Sequence, residues 1–405
     1  MKKKDSFKFY YNKDLDFPRG FMAAGIHAGI KKQGPDAAIL FSDTPFCASG
    51  AFSQNLFRSL SVDLCIKNIQ NPIRALLVFS GNANACTGKG GEETIAAVAA
   101  ETAKLLSCKE QNILQSYTGV IGKPFPAAKV AGQLEKLINT ARDKSSAFPF
   151  ARSIMTTDLA EKKIACEIMT AEGAVRIAGV AKGSGMIYPQ MATMLAYITT
   201  DALLDKQYQD SLIKRVTGST FNRISVDGDS STNDSFMLFS SREQDAIRIN
   251  TPEKKKIFEA AVQQIALDLA KAMVRDGEGA TKLITIHVKS AASEQAAGAI
   301  CRSIANSLLV KTAIYGADPN WGRIIAAVGN AGVKLSPLKT ELFIGPFLIF
   351  KNMGYIDTHS KQIRKLFRKK ELEITVDLHS GAHSATFWTC DISHEYVTIN
   401  AEYTT

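Results

Sequence analysis

The sequence predicts a mixed α/β protein of two domains, on three observations. Short β-branched runs alternate with Ala-rich stretches of helical spacing. At 405 residues one hydrophobic core ordinarily divides into two. A composition of 45% apolar and 22% charged residues argues against disorder, collagen-like repeats and coiled coils.

In chain order, Ala75–Ser80 reads as a buried strand and runs into the loop GNANACTGKGG. A helix is expected from Glu92 to Leu106, where Ile95, Val98, Ala99, Ala103 and Leu106 keep a spacing near 3.6. A second helix is expected over Lys254–Arg275, opened by the cap pair Thr251-Pro252 and stopped by Asp276-Gly277-Glu278-Gly279. Leu283–Val288 reads as a strand and Ser293–Val310 as a helix. Late strands are expected at Leu342–Phe350, Glu371–Leu378 and Ala385–Cys390. The boundary falls near residues 280–285, giving a main domain over 1–282 and a smaller α/β domain over 283–405.

The charge and the scattered ligand residues exclude several classes. A formal net charge of +10 is spread along the chain, and its densest patch, Lys361–Lys370, holds one aromatic, Phe367. That is a solvated helix face rather than a nucleic-acid surface. The seven cysteines contain no CxxC pair, and His394-Glu395 lacks the second His of HExxH. Asp227-Gly228-Asp229 with Asn233-Asp234 lacks the Gly and final Glu of a calcium loop, so no metal is assigned. The loop Gly81–Gly91 fails the phosphate-loop spacing. No apolar stretch approaches the roughly 20 residues of a membrane span, and Met1-Lys2-Lys3-Lys4 is not followed by an apolar run. A cytoplasmic protein is expected.

The chemistry concentrates in Lys182–Asp201, KGSGMIYPQMATMLAYITTD. Gly183 and Gly185 give a flexible entry, and Pro189 fixes a backbone angle before Met191-Ala192-Thr193. A small residue followed by Thr, between a Pro turn and an apolar run, suits backbone self-cleavage, in which the hydroxyl attacks its own preceding carbonyl. The cut would give Thr193 a free α-amine with a reference pKa of about 7.7–8.0, able to act as the hydroxyl's base. A buried Ala-Thr of purely structural meaning fits the tripeptide as well.

KGSGMIYPQMATML (182–195), GNANACTG (81–88), TGVIG (118–122), SVDGDSSTND (225–234), RDGEGATK (275–282) and ADPNWGR (317–323) together resemble the ornithine acetyltransferase, or glutamate N-acetyltransferase, family of arginine biosynthesis. The likeness runs from Gly20-Phe21-Met22-Ala23-Ala24-Gly25-Ile26 to the C-terminus. It implies a layered αββα-type sandwich followed by a smaller α/β domain. It also implies self-cleavage between Ala192 and Thr193 into an α chain (1–192) and a β chain (193–405), with a dimer of cleaved αβ units.

By the same resemblance Thr193 is the nucleophile that takes acetyl from N2-acetylornithine and passes it to glutamate. Thr118 and Gly119 form the oxyanion-stabilising pair, and substrate contacts fall on Thr156, Lys182, Thr193, Glu278, Asn400 and Thr405. The Thr156-Thr157 doublet leaves the register of the first contact open. No bound cofactor is implied, and acetyl-CoA stays open as a second acetyl donor. Tyr117, Tyr188 and Gln190 depart from the family pattern, which bears on pocket shape and cleavage rate. Three other readings compete: an N-terminal-nucleophile aminopeptidase or amidase, an uncleaved amino-acid-binding homologue and, on charge alone, a nucleic-acid-binding protein.

Overall fold

Strand Ile73–Asn82 shows how the chain builds its layers. Leu76 and Val78 face one core and Leu77 and Phe79 another, and all four are fully buried. A strand that is apolar on both faces has a layer on each side. The computed structural model describes residues 7–143, 148–188 and 194–402. Two stacked sheets share the long strand Ala37–Phe52. Its first half pairs with Met22–Ile26 and with Ile73–Asn82, which in turn pairs in parallel with Ile113–Val120. Its second half pairs with Ser235–Ser240, and that sheet continues through Leu195–Thr200, Gly173–Lys182, Lys162–Thr170 and Phe7–Tyr10.

The core between the sheets contains Leu40, Leu76, Val78, Val180, Tyr197, Met237 and Phe239. Outside the first sheet, Phe79 and Tyr117 pack with residues of helices Gly88–Leu105 and Leu134–Asp143. Outside the second, Ile177, Ile198 and Leu238 pack with helices Lys206–Ser219 and Pro252–Arg275. The order helix, sheet, sheet, helix is the sandwich that the resemblance implies.

A further sheet of seven strands runs in the order Gly354–Tyr355, Phe347–Lys351, Glu341–Ile344, Glu371–Asp377, Leu283–Ala291, His383–Cys390 and Ile224–Ser225. Helices Glu294–Ala305, Leu308–Tyr315, Trp321–Gly329 and Ser360–Phe367 contribute to its core. Ile224–Ser225 comes from the 1–282 part of the sequence, and Leu283, Trp388 and Cys390 join the core of the helix Pro252–Arg275. The two parts of the molecule are therefore continuous.

Most expected elements form, with two corrections. The helix expected over Ser293–Val310 is two helices, Glu294–Ala305 and Leu308–Tyr315, because Asn306 closes the first and the Ser307 side chain caps the second by accepting from Val310 N. The strand expected at Leu342–Phe350 is a hairpin of Glu341–Ile344 and Phe347–Lys351, with Gly345 at φ +55° in its turn. In the basic helix Ser360–Phe367, Ile363 and Phe367 point inward and most of the remaining side chains face solvent, as expected. Among the described residues, no helix is long and apolar enough to cross a membrane.

Candidate active site

The parallel strands Ile73–Asn82 and Ile113–Val120 end together at Ser80–Thr118 and Gly81–Gly119, where the ladder slips at Asn82. Gly119 sits at φ +130°, and a Cβ there would lie 2.4 Å from the Gly81 carbonyl carbon and 2.6 Å from Asn82 N. Only glycine allows this approach. Asn233 joins the two strand ends by donating through Nδ2 to Ala83 O (2.7 Å) and Tyr117 O (2.9 Å). The Tyr117 side chain points away from the cleft, into the core against Phe79 and Phe125, and its hydroxyl donates to Gln115 Oε1. This departure from the family pattern therefore leaves the pocket's shape alone.

Thr118 lies beside Lys182, the last residue of strand Gly173–Lys182. Lys182 is buried, and Nζ donates to Thr118 Oγ1 (3.1 Å) and Thr156 Oγ1 (2.9 Å). Each hydroxyl that accepts from an ammonium keeps its own proton for another partner. Thr157 bonds Ser184 through its hydroxyl instead (2.7 Å), so the doublet splits: Thr156 joins Lys182, although both threonines line the cleft. Burial pushes the Lys182 ammonium below its usual range, against the pull of Asp158, Asp234 and Glu278.

Asp158 is the buried counter-charge. Its Oδ1 accepts from Lys162 Nζ (2.6 Å) and Gly183 N (2.7 Å), and its Oδ2 accepts from Thr156 N (3.1 Å). Burial alone would raise this carboxyl, but the Lys182 and Lys162 charges and these hydrogen bonds outweigh it and hold it at about 2. Lys162 also reaches Asp276 Oδ2 at 2.5 Å, and that oxygen accepts from Leu159 N. The network ties the Thr156 loop to the segment that presents Glu278.

Glu278 N donates to Ser184 O (2.8 Å), which fixes its backbone beside the Gly183–Gly185 entry. Its carboxylate lies so close to Gly185 that a Cβ there would meet Oε2 at 2.3 Å. Asn400 Nδ2, on helix His394–Glu402, donates to Glu278 Oε2 (2.9 Å). That helix seats on Gly279, where a Cβ would lie 2.5 Å from Tyr396 N, and Ser393 Oγ donates to Gly279 O (2.6 Å). Asn400 thus belongs to the cleft, as the resemblance implies of the tail.

Thr118, Gly119, Thr156, Lys182, Glu278 and Asn400 all line one cleft, joined by Ala83, Ser184 and Ser231–Asn233. Ala192, Thr193, Gln190 and Thr405 lie outside the described residues. Their chain neighbours are described, however. Lys182 pairs with Leu195 in the antiparallel ladder, so residues 183–194 connect two strands whose open end is at Lys182. Met194 N donates to Asp234 Oδ1 (2.8 Å). Among the described residues no cluster of His, Cys, Asp or Glu could hold a metal ion, and five of the seven cysteines are buried and free.

Sequence reasoning missed Asp158, Lys162 and Asp276, whose pairing arises only from the fold, and missed Asp234 as a partner of Met194. The 225–234 stretch, one of the segments that carry the resemblance, brings Ser231–Asn233 into the lining of the cleft.

The family model described as the ArgJ family matches residues 22–405. A Prochlorococcus marinus protein named arginine biosynthesis bifunctional protein ArgJ is 44% identical, covering 96% of this chain and 94% of its own. One of the same name from Oceanobacillus iheyensis is 38% identical, covering 97% of each. A crystal structure of the Bacillus halodurans protein of that name is 40% identical with a TM-score of 0.49, covering 51% of this chain and 98% of its own. On the family match and the Prochlorococcus and Oceanobacillus relatives, which align over nearly the whole of both chains, the chain belongs to the ArgJ family.

Proposed function

We propose that Thr193 carries acetyl from N2-acetylornithine to glutamate, and that the Ala192–Thr193 bond is cut by the chain itself to expose it. As an ArgJ-family protein the chain is an acetyltransferase of arginine biosynthesis. The observation that carries the finer reading is the meeting of Lys182, Thr118 and Gly119 at the open end of the connection that contains Ala192–Thr193.

In the first step the Thr193 hydroxyl oxygen attacks the acetyl carbonyl while its proton passes to the Thr193 α-amine. The tetrahedral oxyanion takes hydrogen bonds from the Thr118 hydroxyl and the Gly119 N–H. Thr118 is suited to this because its oxygen already accepts from Lys182, which leaves its proton to donate. The C–N bond then breaks, ornithine leaves with the proton held by the α-amine, and an acetyl ester remains on Thr193. Glutamate's amine attacks the ester, the C–O bond breaks, and a proton from the attacking amine restores the hydroxyl. Dividing the exchange into two acyl transfers lowers each barrier.

Two of the three Lys182 N–H groups bond Thr118 and Thr156; the third suits a substrate α-carboxylate. Glu278, held by Asn400, suits ornithine's side-chain ammonium. We take the enzyme to work in the cytoplasm as a dimer of cleaved αβ units, with residues 283–405 as a smaller domain closing the site. The relatives' "bifunctional" name supports acetyl-CoA as a second donor. Incubating the protein with acetylornithine, with and without glutamate, tests the reading. Ornithine release that requires glutamate is expected; release of free acetate at the same rate without glutamate would make the protein an amidase.

A further inference from the structure

Asp234 has no part in the chemistry above, yet its position is unusual. It stands one residue before strand Ser235–Ser240, alongside Met194, which stands one residue before strand Leu195–Thr200. Its side chain is wholly buried, and its Oδ1 accepts from Met194 N at 2.8 Å. Ser235 N donates to Met194 O at 3.0 Å. Met194 is therefore held at both its amide and its carbonyl. Met194 N is the nitrogen of the Thr193–Met194 peptide, about 2.4 Å from the Thr193 Cα by covalent geometry.

A nucleophile at a chain terminus has lost one of its two covalent tethers. What remains to orient Thr193 is the peptide to Met194 and whatever holds that peptide. We propose that Asp234 is the positioning residue of the Thr193 nucleophile, its carboxyl clamping the Thr193–Met194 peptide so that the terminal residue keeps its aim once the chain is cut. This rests on Thr193 being the nucleophile.

Two further observations agree with the clamp. Burial pushes the Asp234 carboxyl well above its usual range, against the Met194 hydrogen bond and the Lys182 charge. Ser231 lies close enough to favour the ionised form, but no well-formed hydrogen bond reaches Oδ2 from the described residues. The residue is also rooted in the fold, because Ser53 N donates to its carbonyl (3.0 Å).

The test compares Asp234→Asn, which keeps an acceptor oxygen in the same shape, with Asp234→Ala, which removes it. Intact mass gives the cut fraction, and kcat and KM are normalised to cut chains. For Asp234→Ala, kcat should fall about 10²-fold, the scale of a 1 Å misplacement of a reacting group, while KM for acetylornithine stays within threefold because Lys182 and Glu278 are untouched. Asp234→Asn should restore cutting and at least a third of kcat. An Asp234→Ala chain that folds but stays uncut, while Asp234→Asn is cut, places the same clamp already in the precursor and supports the proposal. If Asp234→Ala does not fold, Asp234→Leu replaces it, filling the volume without an acceptor.

Wild-type kcat in cut Asp234→Ala or Asp234→Leu overturns the proposal, as does an Asp234→Asn chain as defective as Asp234→Ala. The wild type and Thr193→Ala are run alongside. A wild type without acetyl transfer, or an active Thr193→Ala, overturns the nucleophile assignment instead.

Discussion

Gly185→Ala tests how the cleft holds Glu278. The added methyl would lie 2.3 Å from Glu278 Oε2 and 2.5 Å from Cδ, and ordinary contact begins near 3.4 Å, so the carboxylate must retreat by about 1 Å. Glu278's backbone cannot follow, because its N–H is bonded to Ser184 O at 2.8 Å. The movement falls on the side chain, and the 2.9 Å bond from Asn400 is stretched towards the limit of hydrogen bonding. Gly185 is not among the glycines at positive φ, so alanine adds no backbone strain and the fold survives. The charge-assisted hydrogen bond that Glu278 would make to ornithine's ammonium is worth about 1.5–3 kcal/mol. Losing it raises KM for acetylornithine by about 10- to 150-fold, with a smaller change in kcat because that contact is made before and during the reaction alike. Steady-state kinetics with glutamate in excess measures this. A KM within twofold of wild type, in a protein of unchanged melting temperature, would refute the placement of Glu278 against the substrate.

Other substitutions probe the oxyanion end and its support. Gly119→Ala places a methyl 2.4 Å from backbone at a positive φ, so both thermal stability and kcat should fall, kcat by about 10²-fold or more; full kcat would remove Gly119 from the mechanism. Asp158→Asn leaves Lys162 and Lys182 buried without their shared counter-charge and should cost about 3–5 kcal/mol in urea unfolding; a loss below about 1 kcal/mol would show the network to be dispensable. Asp158 also sets an acid limit. Its folded pKa of about 2 lies below the ordinary 3.8, so it contributes about 2 kcal/mol of stability above pH 4, which is lost as pH falls through 2. Asp158→Asn should lose less stability than wild type across that window, and parallel curves would contradict the assignment.

The elements and the site differ in how far the sequence reveals them. Helix Pro252–Arg275 is legible because its apolar spacing, the Thr251 cap and Pro252 agree, and the Thr251 side chain does accept from Lys254 N. Asn306-Ser307 was missed because two helices broken by a polar pair keep nearly the spacing of one. The gathering of Thr118, Lys182, Glu278 and Asn400 in one cleft was legible only through resemblance, since residues so far apart in sequence carry no local signal of meeting. The Lys182–Thr156 pairing and the Asp158–Lys162–Asp276 network needed the folded chain. A buried ion pair between a loop and a strand leaves no periodicity to read.

The central claim is that the chain cuts itself before Thr193 and uses the new terminus as its nucleophile. Denaturing intact-mass analysis of purified wild type and Thr193→Ala tests it most directly, with native size-exclusion of the same samples. Wild type should give two masses meeting at Ala192–Thr193. The fragments should elute together natively, because the strands either side of the cut, Gly173–Lys182 and Leu195–Thr200, remain paired. Thr193→Ala should give one uncut, inactive mass. An uncut wild type that transfers acetyl, or a Thr193→Ala chain cut at the same bond, would contradict the account.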